Sequence, residues 1–373
     1  MMRLSPFDDY PFHQSPTPFA TVATSDAHYN DGYFCAFYAP DWYFFTGLRL
    51  HPNVNVIDGW ASVAHGNRQT AVRAARALHP RYGELAVGPL RYEILEPMKR
   101  LRVVANENPS GVEFDVVLEA QSPPFVEDRY QHFKYGAVVN DLIRYTQICR
   151  ASGHARLDGQ RIEINDWHAM RDHSWGVRSS MAVPTGIKGI DRDGEDAAHR
   201  ALRMWVPFQV EDHCGFYNTH EDSEGRTLDF EGRLDYTDGR AIKLIAVRHE
   251  LQYLSGTRRP TGGRIELDGE DGVTRSYTLR LVGTPADVQG GGYYRGWRDG
   301  LGPGIYRGAD VVEYDSYDVS PGTEISGPPH VPARYRLGPT EYPMAMIGPG
   351  GAAGMAHFEH TLSGAYPRYG FAS

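Results

Sequence analysis

Short segments in which apolar and polar residues alternate recur along this chain, and tight turns separate them. In residues 111–120 (GVEFDVVLEA) every second residue from Val112 to Leu118 is apolar, with acidic residues among those in between. A period of two residues is typical of a β-strand with one buried face. The dipeptides Asp158-Gly159 and Asp238-Gly239 lie between such segments, and Asp-Gly is a favoured two-residue hairpin turn. The sequence therefore predicts antiparallel strands joined by hairpins.

Helical patterns are scarce in the rest of the chain. Residues 69–79 (QTAVRAARALH) fit either one amphipathic helix or a strand between two loops. The 41 glycines and 25 prolines are consistent with many turns. Short strands with turn signals at roughly 8–12-residue spacing are typical of sandwiches and antiparallel barrels. We therefore predict an all-β protein.

A short motif recurs after about half of the chain. Residues 172–176 (DHSWG) and residues 359–364 (EHTLSG) both contain an acid, a histidine, a hydroxyl residue, a large apolar residue and a glycine. A motif that recurs at half-length suggests two similar domains. We therefore predict one β-domain over residues 1–185 and a second over residues 186–373. The Gly- and Asp-rich residues 185–199 are the expected connection.

Composition excludes several classes of function. The net charge is −9 and no basic block is present, so a nucleic-acid-binding surface is not expected. Cys35, Cys149 and Cys214 are isolated, which fits a reducing compartment and argues against a disulfide scaffold. No apolar run approaches the roughly 18 residues of a membrane span, and the N-terminal residues lack a signal-peptide pattern. We expect a cytoplasmic protein without a membrane span.

The densest group of chemically active side chains lies in residues 170–180 (MRDHSWGVRSS), which contain Arg171, Asp172, His173, Trp175 and Arg178. In a strand, His173 and Trp175 project to the same side, with Arg171, while Asp172 projects to the other. Imidazole titrates near neutral pH, and an indole face stabilises positive charge, so this pair suits proton transfer to a hydrophobic substrate. The structural alternative is a buried, hydrogen-bonded histidine and a packed tryptophan at a domain junction.

A second candidate lies in residues 210–222 (VEDHCGFYNTHED). Tyr217 and Thr219 share one face of a strand here, and Asn218 and His220 share the other. A tyrosine hydroxyl can act as an acid or donate a hydrogen bond to an oxyanion. The simpler interpretation of His220 is a strand end that continues into an exposed turn.

The sequence contains no recognisable metal or nucleotide motif. No HxH or HExxH pattern is present, and His357 and His360 are three residues apart, which places them on opposite faces of a strand. Residues 348–356 (GPGGAAGMA) are glycine-rich but lack the βαβ context of a dinucleotide-binding loop. We therefore expect neither a metal nor an organic cofactor.

Three segments carry a resemblance to a known family. Residues 171–178 (RDHSWGVR), 42–66 (WYFFTGLRLHPNVNVIDGWASVAHG) and 87–103 (VGPLRYEILEPMKRLRV) resemble the AttH/carotenoid 1,2-hydratase group of lipocalin-like proteins, and more closely its uncharacterised bacterial relatives. The resemblance covers most of the chain. It implies two lipocalin-like, calycin-type antiparallel β-barrel domains in tandem, in agreement with the strand pattern and the repeated motif.

The resemblance also implies a type of chemistry. The hydratase branch adds water to a carbon–carbon double bond of an isoprenoid without a cofactor, using a His-x-Trp pair and then a Tyr and an Asp on a later strand. His173 and Trp175 match the pair and Tyr217 matches the tyrosine, but Thr219 stands where the aspartate is expected. We therefore predict His173 as the general acid or base and Tyr217 as a hydrogen-bond donor, with Asp172 or an arginine as the orienting partner of His173.

Three functions remain open at this stage. The first is a cofactor-independent lyase of the hydratase type that acts on a hydrophobic isoprenoid or aromatic molecule. Trp175, Arg171, Arg178 and His360 would then contact the substrate. The second is a lyase or isomerase for a hydroxylated, lignin-like aromatic, for example by retro-aldol release of formaldehyde. The third is a carrier of a hydrophobic ligand without catalysis. Expected partners are that small molecule and, as an open alternative, a second copy of the chain.

Overall fold

The computed structural model describes residues 6–9, 11, 16–134, 137–179, 200–292, 296–320 and 340–372. The predicted connection over residues 185–199 lies outside the described residues. The predicted domain boundary at residue 185 lies outside them as well. Over the described ranges, no helix is long and apolar enough to cross a membrane.

Strands dominate the chain. The strands before residue 180 are β1 (Tyr29–Ala39), β2 (Trp42–His51), β3 (Val56–His65), β4 (Arg68–Ala77), β5 (Ala86–Val87), β6 (Leu90–Glu96), β7 (Arg100–Ala105), β8 (Val112–Ala120), β9 (Phe125–Val126), β10 (Tyr130–Lys134), β11 (Ala137–Leu157) and β12 (Gln160–Arg178). The later strands are β13 (Leu202–Val210), β14 (His213–Glu221), β15 (Thr227–Tyr236), β16 (Ala241–Tyr253), β17 (Pro260–Gly269), β18 (Thr274–Leu281), β19 (Ala286–Asp287), β20 (Val311–Asp318), β21 (Thr340–Ile347) and β22 (Ala353–Leu362).

Helical elements are short. The described residues contain one α-helical turn, α1 (Val288–Gly291), and 3-10 turns at Pro6–Asp9, Pro52–Val54, Pro349–Gly351 and Pro367–Tyr369. Residues 69–79, which also fit a helix, lie mostly in strand β4, where every side chain from Ala71 to Arg76 is buried. The all-β prediction is confirmed.

Hydrogen bonds between neighbouring strands define two antiparallel sheets. The first has the order β20-β4-β3-β2-β1-β12-β11-β8-β7-β6-β5, and β9 and β10 also pair with β11. It curls as a half-barrel. The second has the order β18-β17-β16-β15-β14-β13-β22-β21-β19, and β18 also pairs with β21, so that within the described residues eight strands close a barrel.

Two predicted hairpins are present in these sheets. Strands β11 and β12 join at Asp158-Gly159, where both residues have positive φ, as this kind of turn requires. Strands β15 and β16 join across Asp238-Gly239. On β8 the predicted apolar face from Val112 to Leu118 is buried.

The sheet alternation creates three apolar clusters. One lies on one face of the half-barrel and includes Phe37, Phe44 and Phe114. A second fills the interior of the closed barrel. The third joins the other face of the half-barrel to the outside of the barrel, with Phe34 and Tyr43 on one side and Trp205, Phe216 and Met355 on the other. The two sheets therefore share a buried interface.

Candidate active site

A cavity of about 440 Å³ lies where the half-barrel meets the closed barrel. Its acidic lining residues are Glu127, Asp128, Asp172, Asp229, Glu231, Glu341 and Glu359. Its basic lining residues are Arg129, Arg144, Arg178, Arg200, Arg203 and His220. Four rings, those of Phe34, Tyr130, Trp205 and Phe230, complete much of the wall. The cavity is therefore polar and charged with aromatic patches, which suits a ligand with hydroxyl groups better than a long hydrocarbon.

Strands β14 and β15 place four polar side chains on the cavity wall in a two-by-two arrangement. Asn218 pairs across the strands with Glu231, and His220 pairs with Asp229. Alternate residues of these strands, such as Tyr217 and Leu234, fill the barrel interior, so that the intervening residues face outward. Diagonal neighbours on two paired antiparallel strands are separated by about 7–8 Å. His220 and Glu231 therefore present two titratable groups to the same space.

The pKa of Glu231 is raised to about 7, first by burial and second by the negative charge of Glu127. Two hydrogen bonds oppose this shift: the Asn218 side-chain amide donates to Oε1 at 3.3 Å and the Asp128 backbone N–H donates to Oε2 at 2.8 Å. A carboxyl group that titrates near neutral pH can both give and take a proton. Glu231 thus has the property required of a general acid or base.

His220 has an orienting partner. Its Nδ1 lies 2.7 Å from Asp229 Oδ1. Burial is the largest influence on its pKa and lowers it, although the hydrogen bond to Asp229 acts in the opposite direction. The imidazole is therefore neutral at pH 7, with Nδ1–H donating to the carboxylate and the lone pair on Nε2. This is the arrangement of a general base.

The centre of the cavity wall contains a buried ion pair beneath an indole. Glu127 accepts a hydrogen bond from Arg144 Nε at 2.6 Å and another from Thr146 Oγ1 at 2.7 Å. Trp205 Nε1 donates to the two Glu127 oxygens at 3.3 and 3.4 Å, and the Arg144 guanidinium lies 5.1 Å from the Trp205 ring centroid. These contacts fix the indole as a rigid surface.

Asp172 and Arg178, two of the residues predicted from the sequence, also line this cavity. Both belong to β12 and lie on the face of the half-barrel that contacts the barrel. Asp172 Oδ1 is buried without a hydrogen-bond partner, and burial raises the pKa of this carboxyl, although Arg144 and Arg49 lower it. The half-barrel thus contributes a buried carboxyl group whose pKa lies above its ordinary value.

His173, Trp175 and Arg171 project from the opposite face of β12, because side chains alternate along a strand. His173 Nε2 lies 2.7 Å from Asp31 Oδ1, and its ring stacks on Tyr33 with centroids 4.3 Å apart. Arg171 donates two hydrogen bonds to Gln147 Oε1, at 2.9 and 2.6 Å. Trp175 is 37% exposed. The structure separates these three residues from the junction cavity.

Tyr217 and His360 lie inside the closed barrel. The Tyr217 hydroxyl donates to Met204 Sδ at 3.9 Å, and burial raises the pKa of this phenol. His360 Nε2 lies 3.1 Å from the Tyr253 hydroxyl, and burial lowers the pKa of His360 to about 3. The predicted set of His173, Asp172 and Tyr217 is therefore not brought together, because β12 and β14 direct His173 and Tyr217 into different cores.

Sequence reasoning missed Glu231, Asp229 and the role of His220. The available signal was the alternation Asp229-Phe230-Glu231, which places two carboxyl groups on the face opposite an apolar residue. Asn218 and His220 were expected to share a face, as they do, but the facing strand could not be identified. The pairing of β14 with β15 supplies the missing partners.

One further group could hold a metal ion. Among the described residues, Glu341, His357 and Glu359 have ligand atoms that all lie within 4.8 Å of one another. Glu341 and Glu359 also line the junction cavity. Within the described part of the chain, no such group involves the residues predicted from the sequence.

Comparison with known proteins supports the architecture. The model of a family of unknown function (DUF8625) matches residues 4–326. No curated protein matches the sequence significantly. An AttH-type protein from Nitrosomonas europaea has a similar structure, with a TM-score of 0.55, 11% identity, and coverage of 91% of this chain and 94% of that chain. At this identity the similarity concerns the fold.

Two more distant structures are also similar. Kievitone hydratase from Nectria haematococca has a TM-score of 0.49 and 9% identity, over 93% of this chain and 94% of that chain. CghA with Sch210972 has a TM-score of 0.46 and 10% identity, over 90% of this chain and 88% of that chain.

Proposed function

This chain belongs to the family of unknown function DUF8625, whose description names no activity, and we propose from the site itself that the protein is an acid–base lyase. It adds or removes a small neutral molecule, water or an aldehyde, at a hydroxylated aromatic substrate in the junction cavity. The observation that carries this proposal is the pairing of His220–Asp229 with Glu231 on one wall of that cavity.

The two groups have complementary protonation states. His220 is neutral at pH 7 because burial lowers its pKa, so its Nε2 can accept a proton. Glu231 titrates at about 7, so a large fraction of molecules carry a proton on this carboxyl and can donate it. A base and an acid on diagonal positions about 7–8 Å apart can act on two atoms of one small substrate without a large movement.

Both reactions use the same roles. In a retro-aldol cleavage, His220 removes the proton of a substrate hydroxyl, the carbon–carbon bond breaks to release an aldehyde, and Glu231 protonates the carbanion. In dehydration, His220 removes a C–H proton and Glu231 protonates the departing hydroxyl. General acid–base catalysis of this kind contributes about 10²–10⁴-fold to the rate.

The cavity lining favours a hydroxylated aromatic over an isoprenoid. Seven carboxyl groups and five arginines face the space, which would leave many polar groups desolvated against a pure hydrocarbon. Trp205 on the barrel and Phe34 on the half-barrel offer ring surfaces for a planar substrate. Asp172 and Arg178, also on the half-barrel, can hydrogen-bond its hydroxyl groups.

The test is a mass-spectrometric screen of the purified chain with pooled hydroxylated phenolic dimers and, separately, pooled terpenoids. Loss or gain of one water, or release of formaldehyde, with the native protein would establish a lyase and identify the reaction. We expect His220→Gln and Glu231→Gln each to lower the rate about 10²–10⁴-fold. The matched control is His173→Gln, which changes another histidine–aspartate pair, on the opposite side of the half-barrel, and should retain most of the rate.

Three results would contradict the proposal. Loss of turnover in His173→Gln with retention in His220→Gln would move the active site to the other face of β12. Conversion of terpenoids alone would favour the hydratase for isoprenoids. Ligands that are retained but unchanged by the native protein would favour a carrier.

A further inference from the structure

We infer that Glu341, His357 and Glu359 form a binding site for one divalent transition-metal cation, such as Zn²⁺ or Mn²⁺, on the wall of the junction cavity. Glu341 and Glu359 are directly opposite each other on strands β21 and β22, and His357 is two residues before Glu359. All three side chains therefore share the outer face of the barrel. This site is independent of the proposed acid–base function.

His357 Nε2 and Glu341 Oε2 lie close together without forming a hydrogen bond. His357 Nε2 lies 2.7 Å from Glu341 Oε2, yet the two atoms lack the alignment of a hydrogen bond, and neither has another partner within the described part of the chain. His357 is fully buried and Glu341 is 2% exposed. A buried polar atom without a partner costs about 1–3 kcal/mol. A cation between the two atoms would satisfy both.

The surroundings of His357 are those of a metal-binding imidazole. The Tyr43 hydroxyl lies 2.5 Å from Nδ1 and can accept the Nδ1–H, which leaves the Nε2 lone pair free for a cation. Trp205 meets the imidazole edge-on, with ring centroids 5.5 Å apart, and Phe34 does so at 6.0 Å. These rings hold the imidazole in one orientation.

The donor set indicates the type of cation. One imidazole nitrogen with two carboxylates suits Zn²⁺, Mn²⁺ or Fe²⁺, whereas Mg²⁺ prefers oxygen ligands alone. Glu359 also forms an ion pair with Arg203. A bound cation would share the Glu359 carboxylate with the Arg203 guanidinium or displace the guanidinium from it. Because Glu341 and Glu359 line the cavity, the remaining coordination positions of the cation would face it.

The experiment measures binding directly and does not depend on catalysis. The full chain, without an affinity tag and freed of metal with a chelator, is titrated with Zn²⁺, Mn²⁺ and Mg²⁺ by calorimetry. We expect one equivalent of Zn²⁺ or Mn²⁺ to bind per chain, and Mg²⁺ to bind at least tenfold more weakly. Mn²⁺ is paramagnetic and should quench the fluorescence of Trp205, whose ring lies beside His357.

Variants locate the site. Glu359→Gln, which changes a half-buried residue at the cavity wall, and His357→Gln should each weaken binding at least tenfold. The matched control is His360→Gln on the same strand, which faces the barrel interior and should leave affinity unchanged. Thermal melts establish that each variant is folded, and Glu359→Gln decides the result if His357→Gln does not fold. Absence of one-to-one binding, or binding that Glu359→Gln leaves intact, would overturn the inference.

Discussion

The environment of Glu231 makes the contribution of this residue to stability depend on pH. Burial raises its pKa in the folded protein to about 7, whereas an unfolded chain has an ordinary value near 4.5. Between these values the unfolded chain loses this proton while the folded protein keeps it. The contribution of Glu231 is thus fully present below about pH 4.5 and is lost as the pH rises to about 7.

We therefore expect Glu231→Gln to remove part of the decline in unfolding free energy between pH 4.5 and pH 7. The difference should be about 1 kcal/mol after allowance for screening by solvent, measured by urea denaturation at a series of pH values. Glu119→Gln, at an exposed position of β8, is the control and should follow the native profile. Identical profiles for Glu231→Gln and the native chain would show that Glu231 titrates normally.

Tyr43 acts on the inferred cation site through His357. Its hydroxyl contacts Nδ1 at 2.5 Å, and partners of this kind fix the orientation and basicity of a metal-binding imidazole. We expect Tyr43→Phe to weaken Zn²⁺ binding about 10-fold while leaving the stoichiometry at one. Calorimetric titration measures this change. Tyr33→Phe, on β1 and on the opposite face of the half-barrel sheet, should have the native affinity. An unchanged affinity in Tyr43→Phe would show that this hydroxyl does not act on the site.

The sequence alone predicts the orientation of single residues at the inferred cation site but not the whole set of ligands. The opposite orientations of His357 and His360 were predicted and are observed. The pair His357 and Glu359 has the i, i+2 spacing that a site on one strand requires, but only a search for mixed histidine and carboxylate pairs would have found it. Its third member, Glu341, comes from another strand, and no local pattern predicts that pairing.

Among the elements, strand β20 links the two halves of the sequence. It follows residue 310 yet pairs antiparallel with β4, so a strand from the C-terminal half extends the N-terminal sheet. The fully buried Arg73 on β4 binds Glu313 and Asp315 on β20, with Arg73 Nε 3.1 Å from Glu313 Oε1. Breaking a buried pair leaves uncompensated charge.

We expect Arg73→Ala to destabilise the protein by about 2–4 kcal/mol and to release β20 from the sheet. Hydrogen exchange should then show loss of amide protection over Val311–Asp318. Arg81→Ala is the control, because Arg81 forms an exposed ion pair with Asp310 at 3.4 Å and should change stability by less than about 0.5 kcal/mol. Full protection of β20 in Arg73→Ala would mean that backbone pairing alone holds this strand.

Elements with local signals were predictable, whereas elements defined by distant pairing were not. The hairpin at Asp158-Gly159 follows from a dipeptide and from the alternation on both sides of it. The closure of the barrel by β18 and β21 joins strands that are about 60 residues apart, and their alternation is compatible with many partners. For the same reason alternation predicted that His173 and Asp172 lie on different faces, but it could not show which face meets the second sheet.

For the whole molecule, the apolar cluster between the sheets determines whether they unfold together. Phe216 is 1% exposed and packs against Trp205 and Phe125, with centroids 5.5 and 5.0 Å apart. Phe125 belongs to the half-barrel sheet and Phe216 to the barrel. The ring of Phe216 therefore contacts both, and its cluster forms a wall next to the junction cavity.

We expect the native chain to unfold in one calorimetric transition, because the shared cluster makes each sheet depend on the other. Phe216→Ala should cost about 3–5 kcal/mol and raise the ratio of calorimetric to van't Hoff enthalpy above one, since the two sheets then unfold less cooperatively. Phe208→Ala is the matched control: this ring is equally buried, but inside the barrel, so the variant should lose similar stability and keep a single transition. Two separate transitions in the native chain would show that the interface does not couple the sheets, and a cavity built between them would then have walls free to move apart.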